Sequence, residues 1–138
     1  MITVENAVKS FRGRTVVDRV SFIARPGAVT GFVGPNGAGK TTVLKSIAGL
    51  VHLESGHALV NGADVRTLNN PAGTLGSFLS AEWLPRRATA LSIMEYVCAT
   101  RGLRPRRAAE TLEIVGLAQH ANSRVATFSL GMRQRLGI

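Results

Sequence analysis

Gly34-Pro35-Asn36-Gly37-Ala38-Gly39-Lys40-Thr41-Thr42 is the stretch on which the fold turns. A glycine, four residues, then Gly39-Lys40-Thr41 reads as a phosphate-binding loop. Polyphosphate has to be held by several backbone N–H groups at once, so the chain must curl tightly around it. Gly34, Gly37 and Gly39 permit positive φ and close backbone approach. Lys40 supplies a point positive charge for the β- and γ-phosphates, and the Thr41 hydroxyl is placed to ligate Mg²⁺. Ahead of the loop, Ala28-Val29-Thr30-Gly31-Phe32-Val33 is short, apolar and partly β-branched, which predicts a buried strand. Behind it, Thr42 to Leu50 predicts a helix with Val43, Leu44 and Ile47 on one face and Gly49 near its stop. Strand, loop and helix together offer phosphate a helix N-terminus. The four fixed positions would match by accident in roughly one chain in a hundred of this length. The stretch therefore predicts binding of a nucleoside triphosphate.

Around that loop, composition narrows the field. The chain has 138 residues, 45% hydrophobic, with 15 glycines, which suits one globular domain with a sizeable core. No apolar run approaches the ~18 residues of a spanning helix. Met1-Ile2-Thr3-Val4-Glu5-Asn6 has neither the basic nor the apolar region of a secretion signal. The single cysteine, Cys98, excludes an internal disulfide framework and reads as a small core residue. The net charge of +9 comes from 14 Arg and 3 Lys against 8 acids. That raises nucleic acid or an anionic membrane surface as a partner. The arginines are scattered, with modest clusters at Arg86-Arg87 and Arg101 to Arg107, and no aromatics interleave with them as a single-strand surface requires. Nucleic acid is not expected, and an Arg-over-Lys bias also fits codon usage in a GC-rich genome.

Along the chain, residues 2–33 read as short strands joined by turns at Arg12-Gly13-Arg14 and Arg25-Pro26-Gly27, an antiparallel flap beside the loop. Asn61-Gly62, flanked by Gly56 to Val60 and Ala63 to Val65, predicts a hairpin. Another strand is predicted near Thr74 to Leu79. Beyond Trp83 the pattern turns helical. One helix is predicted from about Ala90 to Thr100, ending at Arg101-Gly102. A second starts at Pro105 and carries Ala108, Leu112 and Val115. Asn122 to Thr127 is an irregular connector, and Ser129 is the expected N-cap of a helix through Leu136. His52, His57 and His120 read as surface or loop histidines.

The phosphate loop, followed by Phe128-Ser129-Leu130-Gly131-Met132-Arg133-Gln134-Arg135-Leu136, resembles an ATP-binding cassette (ABC) transporter ATPase subunit. The second motif is similar to the family's signature segment in a variant form, with Leu130 in place of a glycine and Met132 in place of a glutamine. Such variants are similar to exporter subunits of the bacitracin and daunorubicin type, for antibiotics and multiple drugs.

The resemblance implies an α/β P-loop NTPase fold with an N-terminal antiparallel β flap and a helical subdomain, about 1–79 for the ATP-binding core and about 80–138 for the helical part. It implies that Phe11 stacks on adenine, that Gly34, Pro35, Asn36, Gly37, Ala38, Gly39, Lys40, Thr41 and Thr42 wrap the phosphates, and that Thr41 meets the metal. Ser129, Leu130, Gly131 and Met132 would contact ATP held by the opposite subunit of a homodimer. The implied cofactors are ATP and Mg²⁺. The implied partner is a transmembrane permease subunit at the cytoplasmic side of the cell membrane, where the chain would be peripheral.

Two departures qualify this. Where the family places a metal-touching glutamine, this chain has Ser80, with Glu82 two residues on. The family's catalytic carboxylates end a strand after the signature helix, and no such strand occurs here. Asp18 and Asp64 both lie in turns or hairpins. The expectation is the N-terminal part of an exporter ATPase, truncated before its catalytic half, with negligible turnover of its own. The alternative is a degenerate or regulatory nucleotide-binding module without transport. A DNA-repair ATPase of the same superfamily would carry coiled-coil or zinc insertions between loop and signature, and none is present.

Overall fold

The computed structural model describes residues 1–138. They form two compact units, Met1–Leu79 and Ser80–Ile138.

The first unit is built on a three-stranded antiparallel sheet: β1 (Ile2–Phe11), β2 (Arg14–Ala24) and β3 (Ser55–Val60), in the order β2-β1-β3. Arg12 and Gly13 turn β1 into β2, which pair from Phe11↔Arg14 to Ile2↔Ala24. This is the antiparallel flap expected ahead of the loop. Helix α1 (Lys40–Ile47) packs on the sheet. Val4, Ala7, Val17, Val43, Ile47, Ala58, Val60 and Val65 form the buried core. Each fully buried Val or Ile contributes roughly 1.5–3 kcal/mol of transfer free energy.

The second unit is helical. Helix α3 (Ala90–Thr100) starts at a reciprocal cap, in which the Thr89 hydroxyl accepts from Ser92 N at 3.2 Å and the Ser92 hydroxyl accepts from Thr89 N at 3.1 Å. It is followed by α4 (Arg106–Ile114) and α5 (Leu130–Gly137). Ala90, Leu112, Leu117, Val125, Phe128 and Leu136 make its core. Cys98 is buried, as its setting predicts. The connector is tied back by Val125 N to Ala88 O at 3.0 Å and Ala126 N to Arg86 O at 2.8 Å. No helix is long and apolar enough to cross a membrane.

Four expectations need correction. Residues 28–33 are not a buried strand: Val29 and Val33 are 103% and 90% exposed. A buried parallel strand needs hydrogen-bonded neighbours and apolar cover, and β1, β2 and β3 pair only with one another. Leu44 faces outward, because α1 turns Val43, Ser46 and Ile47 inward at i, i+3, i+4 spacing and Leu44 lies about 100° round from Val43. Asn61-Gly62 does reverse the chain, with φ of 51° and 83°. Its second arm stops at the single bridge Val60↔Ala63, because Asp64 caps a 3-10 turn over Val65–Thr67 instead. Thr74 to Leu79 is not a strand, since Asn70 caps a short helix α2 (Pro71–Thr74) and the chain then runs without regular structure. Pro105 stands at the start of α4 as expected, with helical φ and ψ of −54° and −37° and its carbonyl accepting from Ala108 N at 3.1 Å.

Candidate nucleotide-binding site

The loop between Val33 and α1 is anchored at both ends. On the near side, Phe32 lies against Phe22 of β2, ring centroids 5.0 Å apart. On the far side, Val43 and Ile47 plug α1 into the core. Between these anchors the backbone turns through Ala38 N to Pro35 O at 3.3 Å, and Gly39 serves as N-cap of α1 with φ 82°. No side chain caps α1, and its first turn carries no acid. The orphan amides at that end are thus left for an external anion, which the helix dipole favours.

Lys40 reaches back over this loop. Its ammonium donates to the carbonyl oxygens of Gly34 and Pro35, both at 2.7 Å, and closes the segment into a ring. Pro35, Asn36, Gly37 and Ala38 are exposed, as is Thr41 in the first turn, while Thr42 is half-buried and its carbonyl accepts from the Ser46 hydroxyl at 2.9 Å. The structure thus brings Gly34 to Thr42 together around one helix end.

A divalent cation fits this donor set in one way only. No group of three or more His, Cys, Asp or Glu side chains is gathered anywhere in the chain. Thr41 would supply one neutral oxygen, and the remaining ligands would be nucleotide phosphates and water, the arrangement suited to Mg²⁺. The aspartates are engaged elsewhere: Asp18 pairs with Arg19 at 3.3 Å and Asp64 with Arg66 at 2.5 Å.

Phe11 ends β1 and is 46% exposed, so its ring is not core packing. Lys9 Nζ stands 5.2 Å from its centroid, and the same ammonium lies 3.7 Å from Glu54 Oε1. The Glu54 carboxyl is held below its usual range by a hydrogen bond from Ser10 N. A cation fixed over one ring face is the arrangement that sequence reading missed. Its only signal is Lys9 two residues before Phe11, on the same face of a strand.

In the second unit, Ser129 caps α5, its hydroxyl accepting from Met132 N at 3.2 Å. Leu130 and Gly131 are exposed, whereas Met132 packs its side chain on the helical core and so offers a ligand only backbone. Arg133 and Arg135 brace the segment, donating to Phe128 O at 2.5 Å and to Val115 O at 2.9 Å. Ser80 caps a 3-10 turn by accepting from Glu82 N at 3.2 Å, and Glu82 is exposed. His57 and Glu5 approach to 3.2 Å on the sheet surface, His52 meets Arg66, and His120 edges onto Phe128.

Residues 17–138 match the family model described as ABC transporter. The chain is 34% identical over 143 residues to the linearmycin resistance ATP-binding protein LnrL of Bacillus subtilis (strain 168), covering 100% of this chain and 46% of that protein. It is 33% identical over 141 residues to the Fe(3+) ions import ATP-binding protein FbpC of Rhizobium etli, covering 99% of this chain and 40% of that protein. A solved structure described as an ATP-binding subunit of an ABC transporter superposes with a TM-score of 0.79 at 25% identity, over 99% of this chain and 59% of that one. The chain therefore spans about half the length of the relatives it matches.

Proposed function

Because the chain belongs to the ABC transporter family, we propose that it is the MgATP-binding part of an exporter's motor subunit. The observation that carries this reading is the Lys40 ammonium, held at 2.7 Å from the Gly34 and Pro35 carbonyls directly above an uncapped helix N-terminus. A triphosphate there receives the amides of Gly37 to Thr41 and the Lys40 charge together. Lys40 exchanges a carbonyl for a phosphate oxygen, and the loop stays closed through the other. Thr41 holds the cation that neutralises the phosphates, and the Phe11 ring, cation on one face, stacks on the base. Ser129 and Gly131, at the α5 N-terminus, meet the γ-phosphate carried by a second copy. Such a dimer would drive a transmembrane permease from the cytoplasmic side of the membrane.

The donor set of these residues binds and neutralises phosphate. Hydrolysis needs a carboxylate on the metal and a group that orients water. With both aspartates paired to arginines, the 138-residue chain binds ATP with negligible turnover. Titration of the chain with a fluorescent ATP analogue tests the binding. Lys40→Ala should weaken it at least about tenfold, and unchanged affinity overturns the assignment. Direction is a separate arm. A complete transporter motor that carries this segment, co-expressed with its permease, should lower drug accumulation, in keeping with the likeness to LnrL, and uptake of a substrate would make the system an importer instead.

A further inference from the structure

We propose that the corner between α3 and α4 is a docking surface for an anionic lipid membrane. Arg101, Arg104, Arg106 and Arg107 stand within seven residues that contain no acid, and all four are exposed. Glu110 is the sole carboxylate that answers them, and it is shared, at 3.5 Å from Arg106 and 3.2 Å from Arg107. Arg101 and Arg104 side chains have no ion pair or hydrogen bond. Arg104, Arg106 and Arg107 line an open cleft of about 250 Å³ with Leu103 and Glu110.

This arrangement is unfavourable within the chain. Arg104, Arg106 and Arg107 sit at the N-terminal end of α4, where the helix dipole is already positive and basic side chains are disfavoured, whereas Arg101 follows the last residue of α3. Pro105 provides no side-chain cap there. Repulsion among guanidiniums and between them and the dipole is relieved by an external anion. The corner is also held rigid: Leu103 N donates to Cys98 O at 2.8 Å and Arg107 N to Arg104 O at 2.9 Å. The charges are presented together, without an ordering cost for the backbone.

Leu103 decides between anions. It is 47% exposed in the middle of the arginines, so it can enter the headgroup boundary while they meet phosphates, the mixed apolar and basic pattern of a peripheral membrane contact. Nucleic acid would use an aromatic platform or an extended basic track, and residues 101–107 include no aromatic.

Co-sedimentation of the chain with phosphatidylcholine vesicles, with and without phosphatidylglycerol, tests this. Binding should require phosphatidylglycerol and fall with salt. Arg101→Gln/Arg104→Gln, which breaks no contact, should weaken vesicle binding roughly tenfold or more, about fivefold per surface arginine, and leave ATP-analogue affinity unchanged. Arg12→Gln/Arg14→Gln makes the same charge change elsewhere and should have little effect. Leu103→Ser should weaken vesicle binding several-fold without affecting retention on heparin. Equal losses from the two arginine pairs, no preference for phosphatidylglycerol, or stronger retention on duplex DNA than on vesicles would each overturn the proposal.

Discussion

A side chain on Gly39 would place its Cβ 2.3 Å from the carbonyl oxygen of Val16. That carbonyl belongs to β2, so the entry to α1 and the sheet are fitted to each other through a backbone contact that only glycine allows. Gly39 and Gly37 share a φ of 82°, but a Cβ on Gly37 meets nothing within 4 Å. The pair separates strain from collision. Gly37→Ala should cost about 1 kcal/mol, the left-handed penalty alone. Gly39→Ala should cost roughly 3 kcal/mol, because the strand or the helix must shift as well. Urea unfolding of the two variants decides it, and equal losses would show that the Val16 contact is not maintained in solution.

Ser129 caps α5, and in the proposed dimer it would also meet the γ-phosphate. Ser129→Ala should lower the stability of the helical unit by about 1 kcal/mol. Ser129→Asp separates the roles. Aspartate caps as well as serine and suits the dipole, so stability should hold or rise by a few tenths of a kcal/mol. Its charge would repel a γ-phosphate, so ATP-driven dimerisation of the motor subunit should be lost. Retained dimerisation in Ser129→Asp, measured by light scattering, would reduce Ser129 to a cap.

Asp64 gives the chain an acid limit. The Arg66 guanidinium, then the Arg66 amide, hold its carboxyl down to about 2. A folded value below the unfolded one, near 3.9, means the unfolded state binds protons first as pH falls. The stabilisation is therefore complete above about pH 4 and is lost as pH drops through about 2. Both partners are partly exposed, Arg66 at 42% and Asp64 at 30%, so solvent screening limits the pair to about 1 kcal/mol. Asp64→Asn keeps an acceptor for Arg66 N and removes the charge. It should be about 1 kcal/mol less stable near pH 6, with the gap closing by pH 2. A gap that persists at pH 2 would place the loss in packing or capping.

What the sequence disclosed were features with local causes. Arg12-Gly13, Gly102 and Ser129 each set a turn or cap from neighbours within a few positions, and the flap and the end of α3 were readable from them, whereas the Thr89–Ser92 cap that starts α3 was not read. The Gly34 to Thr42 segment was readable because backbone amides, glycines and a lysine at fixed spacing leave few other uses. Choices settled at longer range were not readable. Asn61-Gly62 turns as its composition demands, yet whether a second strand follows depends on Asp64 finding Arg66. The cation over Phe11 depends on Lys9 also reaching Glu54, which lies on the far side of α1 in the chain.

Val29 and Val33 present the opposite problem: side chains typical of a buried strand, held in water. They are 103% and 90% exposed, and Phe32 between them is the residue anchored, on Phe22. An unpaired apolar segment of this kind invites strand addition by another copy or another segment. Since Val29 buries no area and Val33 little, replacing both with threonine removes almost no packing and should change stability by less than about 0.5 kcal/mol. The same change should raise the concentration at which the chain aggregates, because each threonine hydroxyl disfavours a dry strand interface. Phe32→Thr is the contrast: it withdraws the ring from Phe22 and should cost about 2 kcal/mol or more. Denaturant curves and static light scattering on the three proteins would read both effects. A marked loss of stability in Val29→Thr/Val33→Thr would mean that these side chains are covered in solution, and the exposed face at residues 28–33 would not exist.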